Sequence, residues 1–288
     1  MRWIIFLLLL SCVQAAYLDF EGSHATWEVN LTGTVDISPD VHDMKSYLYF
    51  DRDAPENQKI KTIRPVSEGI SYSNGSYVFW WREDPGKKPY GLSFTTEISE
   101  EIGRDSGDKR PLQETHYIDS SKELNELAED LRADDPYRSV YNIIKWIDES
   151  ISPESDRTRA SEVLAARKGN DYGMIALFLS LTRKAGIPSR FVYGLSYDED
   201  NITNPHIWAE VKINDWIPVD LKYDQVGVLD TSHIKIFDST VLRNKIVVHK
   251  ADGTQIDIPD MDFSANLISE TDTKSRDITL QVNSYIEE

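Results

Sequence analysis

KGNDYGMIALFLSLTRKAGIP, residues 168–188, decides how the rest of the chain is read. From Met174 to Leu181 only Ser180 interrupts a run of apolar residues, so the stretch predicts a helix over Tyr172–Ala185 covered on all sides rather than a surface helix with one wet face. Gly186 can take the left-handed conformation that ends such a helix, and Pro188 prevents its continuation. At its head stands Asp171. A carboxylate there suits the N-cap, because it accepts from the free N–H groups of the first turn.

The segments on either side set the fold class. SSKELNELAEDL carries a capping-box pattern, Ser120 with Glu123, and then Leu124, Leu127 and Leu131 on one face. Pro136 opens a second amphipathic helix with Val140, Ile143, Ile144, Ile147 and Ile151, and a short helix over Ser161–Arg167 leads into residue 168. RFVYGLS, HIWAEVKI and WIPVDL follow as three strands. Helices followed by antiparallel strands predict an α+β domain with a central buried helix packed on an antiparallel sheet.

Residues 16–115 read differently. ATWEVNL, KSYLYF, GISYS, SYVFWW and YGLSFTTEI are short aromatic and β-branched runs divided by turn formers, the pattern of a β-sandwich-like domain. Asn74-Gly75 predicts a type I′ hairpin. Of the neighbours Trp80 and Trp81, one faces the core and the other faces outward. KIVVHK, TQIDI and DITLQV, beyond residue 240, are further strands that either finish the preceding domain or stand as a small unit of their own. The expected division is a signal peptide at 1–15, a β-rich accessory domain at 16–115, an α+β domain at 116–240 and a β-rich C-terminal segment at 241–288.

Three separated residues suggest chemistry: Asp171, His206 at the start of one strand, and Asp220 at the end of the next. An imidazole oriented by a carboxylate and set beside a nucleophile at a helix head is the arrangement of a cysteine protease or transferase. Strand geometry gives a test. A two-residue loop around Asn214-Asp215 puts His206 and Asp220 on opposite faces, whereas a three-residue loop or a bulge puts them diagonally on one face.

SEVLAARKGNDYGMIALFLSLTRKAGIPSRFVYG followed by NPHIWAEVKINDWIPVD resembles the transglutaminase-like superfamily, whose fold is papain-like. The likeness runs over about residues 120–225. It implies a catalytic cysteine fifteen residues before the glycine of the GIP turn, a histidine in an H-x-W-x-E context, and an aspartate after a W-x-P-V strand. The matching positions here are Asp171, His206 and Asp220. The first departs from the family: it holds a carboxylate where the resemblance implies a thiol. The single cysteine of the sequence is Cys12, and a carboxylate of low pKa gains nothing from a histidine base. Cysteine-dependent protease or transglutaminase activity is therefore not expected.

The remaining expectations follow from composition. MRWIIFLLLLSCVQAA reads as a leader cut after Ala15, which makes the protein secreted or displayed at the cell surface, with peripheral membrane attachment only if Cys12 is lipidated. Forty-nine acidic against 31 basic residues give a net charge of −18, which disfavours nucleic acid as a partner. Asn30, Asn74 and Asn201 lie in glycosylation patterns. The function expected is non-catalytic binding of a peptide, protein or cell-surface glycan. Two rivals stand beside it: a hydrolase of altered, metal-assisted chemistry acting on peptide or glycan, and a purely structural surface protein. No cofactor is expected, a divalent metal at Asp171, His206 and Asp220 being the exception weighed. His24, His42, His116, His233 and His249 are scattered and receive no role.

Overall fold

The computed structural model describes residues 22–37, 39, 43–52, 57–67, 69–82, 85–99, 117–153, 156–197, 203–239, 247–250, 255–257 and 262–273. The leader with Cys12, Asn201 and DITLQV lie outside them.

Helix α4, Asp171–Lys184, has every residue from Gly173 to Arg183 buried. It is surrounded by α1 (Lys122–Leu131), α2 (Pro136–Ser150) and α3 (Ala160–Ala166), and it lies on strands β7 (Ser189–Tyr197) and β8 (Thr203–Lys212). This is the buried helix that the apolar run predicts. It ends in a Schellman motif, with Ile187 N–H donating to the Thr182 carbonyl at 2.9 Å and Gly186 N–H to that of Arg183 at 3.0 Å. Gly186 supplies the required positive φ of 87°. Two expected caps move by one residue. Asn170, not Asp171, is the N-cap of α4, its side chain accepting from Gly173 N–H at 2.9 Å. Ser121, not Ser120, caps α1 through Leu124 N–H. Adjacent residues with similar acceptors compete in both places, and only backbone conformation selects between them.

The sheet beneath α4 is antiparallel, in the order β10-β9-β8-β7-β11, where β9 is Trp216–Asp220, β10 is Gln225–Val226 and β11 is Ile234–Ser239. Helix and sheet share one apolar core that includes Leu177, Phe178, Leu181, Phe191, Ala209 and Val219.

Two more sheets enclose a second core. One has the order β14-β1-β6-β3 and the other β13-β12-β2-β5-β4. Here β1 is Gly22–Ile37, β2 Asp43–Tyr49, β3 Gln58–Pro65, β4 Ile70–Ser73, β5 Ser76–Arg82, β6 Gly86–Ser99, β12 Val247–Lys250, β13 Gln255–Asp257 and β14 Asp262–Thr273. Alternation along β1 buries Trp27, Val29 and Leu31, and aromatic contacts close the space between the sheets: Phe50 to Phe94 at 5.0 Å, Phe79 to Tyr90 at 5.6 Å. Asn74 and Gly75 form the hairpin turn with φ of 50° and 72°. Trp81 is buried and Trp80 exposed. The strands beyond residue 240 finish neither the α+β domain nor a unit of their own. They pair with the N-terminal strands, β14 with β1 and β12 with β2.

The two cores touch through β11 and the turn before it. Leu195, Ile234 and Ile236 project into the sandwich core. Gln58 exchanges two 2.8 Å hydrogen bonds with the backbone of Lys235, Asp51 N–H reaches the Ile236 carbonyl at 2.8 Å, and the Trp27 indole donates to the Thr231 carbonyl at 2.9 Å. Gly194 permits this approach: a Cβ there would lie 2.2 Å from the Ile234 carbonyl oxygen and 2.6 Å from the Trp208 ring.

Four charges are sealed near this junction. Arg190 holds Glu210 at 2.6 Å and Asp238 at 3.1 Å, while Lys235 holds Glu210 at 3.2 Å and Asp238 at 3.0 Å. Arg190 also stacks on Trp216 at 4.0 Å. Removing one member leaves buried charge uncompensated, a loss of about 3–5 kcal/mol. Glu210→Ala is therefore expected to lose that much in urea unfolding, while Glu97→Ala, which breaks the half-exposed pair with Lys61, changes stability by less than about 1 kcal/mol.

Candidate functional site

The loop between β8 and β9 settles whether His206 meets Asp220. The ladder pairs Lys212 with Trp216 and Ala209 with Val219, leaving a three-residue loop, Ile213–Asp215. That is the odd register. His206 and Asp220 fall on one face, and His206 Nε2 hydrogen-bonds Asp220 Oδ2. Both side chains are shut off from solvent, at 2 % and 0 % exposure.

A second histidine reaches the same oxygen. His233 Nε2 lies 2.9 Å from Asp220 Oδ2, and its Nδ1 lies 2.9 Å from Asp230 Oδ1. Asp230 is fixed in turn by Gln225 Nε2 at 2.6 Å and by the N–H of Ser232 at 2.9 Å. Asp220 Oδ1 accepts from the N–H groups of Lys222 and Tyr223 at 2.8 and 3.2 Å. The result is a buried chain, His206–Asp220–His233–Asp230, walled by Trp208 and Tyr223, whose rings lie 5.9 and 5.0 Å from His206. One ring nitrogen from each histidine and an Asp220 oxygen lie within 4.8 Å of one another, so these three residues have the donors and the spacing to hold a metal ion.

Asp171 is not one of this group. Its carboxylate forms an ion pair with Lys222 at 3.2 Å, both side chains partly exposed, at 39 % and 46 %. The expected metal group of Asp171, His206 and Asp220 is replaced, among the described residues, by His206, Asp220 and His233. Sequence reading passed over His233. Its one local signal is Asp230-Thr231-Ser232-His233, an aspartate and a histidine three residues apart in a turn. The contact with Asp220 depends on tertiary structure.

Electrostatics follow from this wiring. Burial by itself would push the Asp220 carboxyl up, but His206 and His233 outweigh it and hold it below the usual carboxylate range. Asp230 is lowered in the same way, its burial overcome chiefly by His233. Burial would lower the His233 imidazole, yet Asp230 and Asp220 carry it up to about 10. Lys222, partly buried, is raised above the ordinary ammonium value by Asp171.

The direction of pH dependence follows. The raised His233 contributes stability that is complete below the ordinary imidazole value of 6.5 and is lost as pH climbs towards about 10. The lowered aspartates contribute stability above the usual carboxylate range and lose it in acid. Chelator-washed protein, in which only protons compete for the imidazole, should lose thermal stability steadily between these two pH values. His233→Gln should be less stable at neutral pH and show a flatter alkaline limb, a difference that paired thermal melts would measure.

The family model described as Transglutaminase-like superfamily matches residues 125–221. Among solved structures, a proposed cysteine protease from Cytophaga hutchinsonii superposes with a TM-score of 0.61 at 15 % identity, over 86 % of this chain and 92 % of that one. The periplasmic domain of TgpA from Pseudomonas aeruginosa gives 0.39 at 14 % identity, over 70 % and 88 %. Comparison with curated proteins finds no match. No helix among the described residues is long and apolar enough to cross a membrane. The matched segment spans α1 to the end of β9 and carries Asp171, His206 and Asp220. Residues 125–221 are a transglutaminase-like domain.

Proposed function

We propose that the protein is an exported, non-catalytic member of the transglutaminase-like group that binds a peptide or protein segment at the head of α4. The observation that carries this reading is Asp171, a carboxylate at the position where the family resemblance implies the nucleophilic thiol, in a sequence whose one cysteine falls in the leader-like segment. The apolar leader pattern at residues 1–15 supports export.

Asp171 sits on the first turn of α4, where the positive end of the helix dipole favours an anion. The carboxylate keeps the electrostatics of the helix head but brings no soft nucleophile, and acyl transfer through a thioester has no atom on which to form. Its partner Lys222 belongs to the turn after β9, so the ion pair ties helix to sheet. A partly exposed pair of this kind is worth less than about 1 kcal/mol to folding. It can exchange partners at little cost, and it offers one carboxylate and one ammonium to the charged groups of a peptide. Lys222 therefore faces either Asp171 or an acidic group on the ligand.

Burial of His206 and Asp220 weighs against the hydrolase alternative. A general base must come within hydrogen-bond reach of the proton it removes, and the His206 side chain is almost fully covered.

The test is a paired assay on the purified mature protein. No turnover is expected on peptide amides or in amine incorporation, before or after iodoacetamide, and binding to an arrayed set of charged peptides should weaken in Lys222→Glu and in Asp171→Lys. Turnover that disappears in His206→Ala would overturn the reading.

A further inference from the structure

We propose that His206, His233 and Asp220 form a binding site for a divalent transition-metal ion, with Zn2+ the cation its donor set suits best. Two imidazoles and one carboxylate are a recurrent ligand set for first-row metals. Here their donor atoms are gathered within 4.8 Å.

The support around these donors goes beyond what a histidine–aspartate pair needs. Such a pair would be complete with His206 and Asp220 alone. This chain adds a second imidazole against the same carboxylate oxygen, and behind it Asp230, which takes the far nitrogen of His233 and so fixes the orientation of the ring. A carboxylate behind a ligating histidine is the usual outer-shell partner of a metal site. Asp230 is itself clamped by Gln225 and Ser232, and Asp220 Oδ1 is held by two backbone N–H groups, which leaves Oδ2 turned towards both rings.

Charge is compatible with this. Asp220 and Asp230 are two carboxylates in a buried place, and a divalent cation would carry the matching positive charge that protonated imidazole carries in the metal-free protein. Trp208 and Tyr223 line the enclosure, with ring centroids 5.4 and 5.8 Å from His233.

Three protein donors leave a fourth coordination position to water, and because all three ligands are buried, the ion would act on structure. His206 belongs to β8, Asp220 to β9 and His233 to the turn before β11, the turn that Trp27 of the sandwich also holds. A metal there would cross-link three parts of the α+β sheet at the edge that touches the second core. This does not depend on what binds at Asp171.

The experiment uses the full chain without a histidine tag. After equilibration with Zn2+ and removal of the excess, elemental analysis should find about one ion per chain, and Zn2+ should raise Tm. Co2+ in its place should give visible ligand-field absorption. His233→Ala should abolish retention, and Asp230→Asn, which keeps all three donors, should weaken affinity about 10- to 100-fold. His24→Ala, at an exposed site, should change nothing. Where His233→Ala fails to fold, Asp230→Asn carries the comparison. The proposal is overturned if wild-type protein retains no ion and neither cation shifts Tm, or if retention survives in a folded His233→Ala protein.

Discussion

The Asp220 carboxylate has no access to solvent, and a buried anion persists only when its lone pairs are met by donors. Four donors meet it: two imidazoles from different parts of the chain and two consecutive N–H groups of the turn that follows β9. Each constrains something larger. His206 requires the three-residue loop between β8 and β9. His233 requires the turn before β11 to fold back over the end of β9. Lys222 and Tyr223 require the chain to turn at once after Asp220, and that turn sends Lys222 towards the head of α4. Position of the sheet, register of its hairpin and placement of the pair at Asp171 thus depend on satisfying one charge.

The β-sandwich has a part in this. From Ile234 the chain pairs with β7, and the stretch from Thr231 to Ile236 is held by Trp27, Gln58 and Asp51. Without those contacts, the backbone groups of Thr231, Lys235 and Ile236 would lose partners in a buried place, which is costly. The accessory sheets therefore fix the position of His233. They act on the site through the backbone of one turn, and no sandwich side chain is needed in the site itself.

Some of this was legible in sequence and some was not, for identifiable reasons. Helix α4 was legible because an apolar run longer than a strand and ended by Gly186 and Pro188 has few other solutions. The His206–Asp220 contact was legible as a condition on loop parity, and the ladder meets it. The cap of α4 was misplaced by one residue because Asn170 and Asp171 are equally good acceptors. Strand β3 was missed because QKIKTIRP is charged along its exposed face, as suits the edge position it occupies. Strand β14 was missed because DFSANLISETDT lacks an apolar period, and its place comes from backbone pairing with β1. His233 was missed because a lone histidine in a polar turn carries no periodic signal, and its partner Asp220 comes from a different strand.

On the function proposed here, with a carboxylate at 171 and no thiol, the His206–Asp220 geometry needs no catalysis to maintain it. At the head of α4 two adjacent residues divide the work: Asn170 caps the free N–H of Gly173, and Asp171, one step on, has its oxygens turned outward to Lys222. Helix formation therefore does not depend on the residue at 171, and any small polar side chain there would leave α4 in place. His206 and Asp220 have no such freedom. Removing either strands the other, and with it His233, inside a closed aromatic box. Changing the residue at 171 costs the fold almost nothing, while loss of His206 or Asp220 would cost several kcal/mol. Packing and charge alone are thus enough to keep the histidine and aspartate in register.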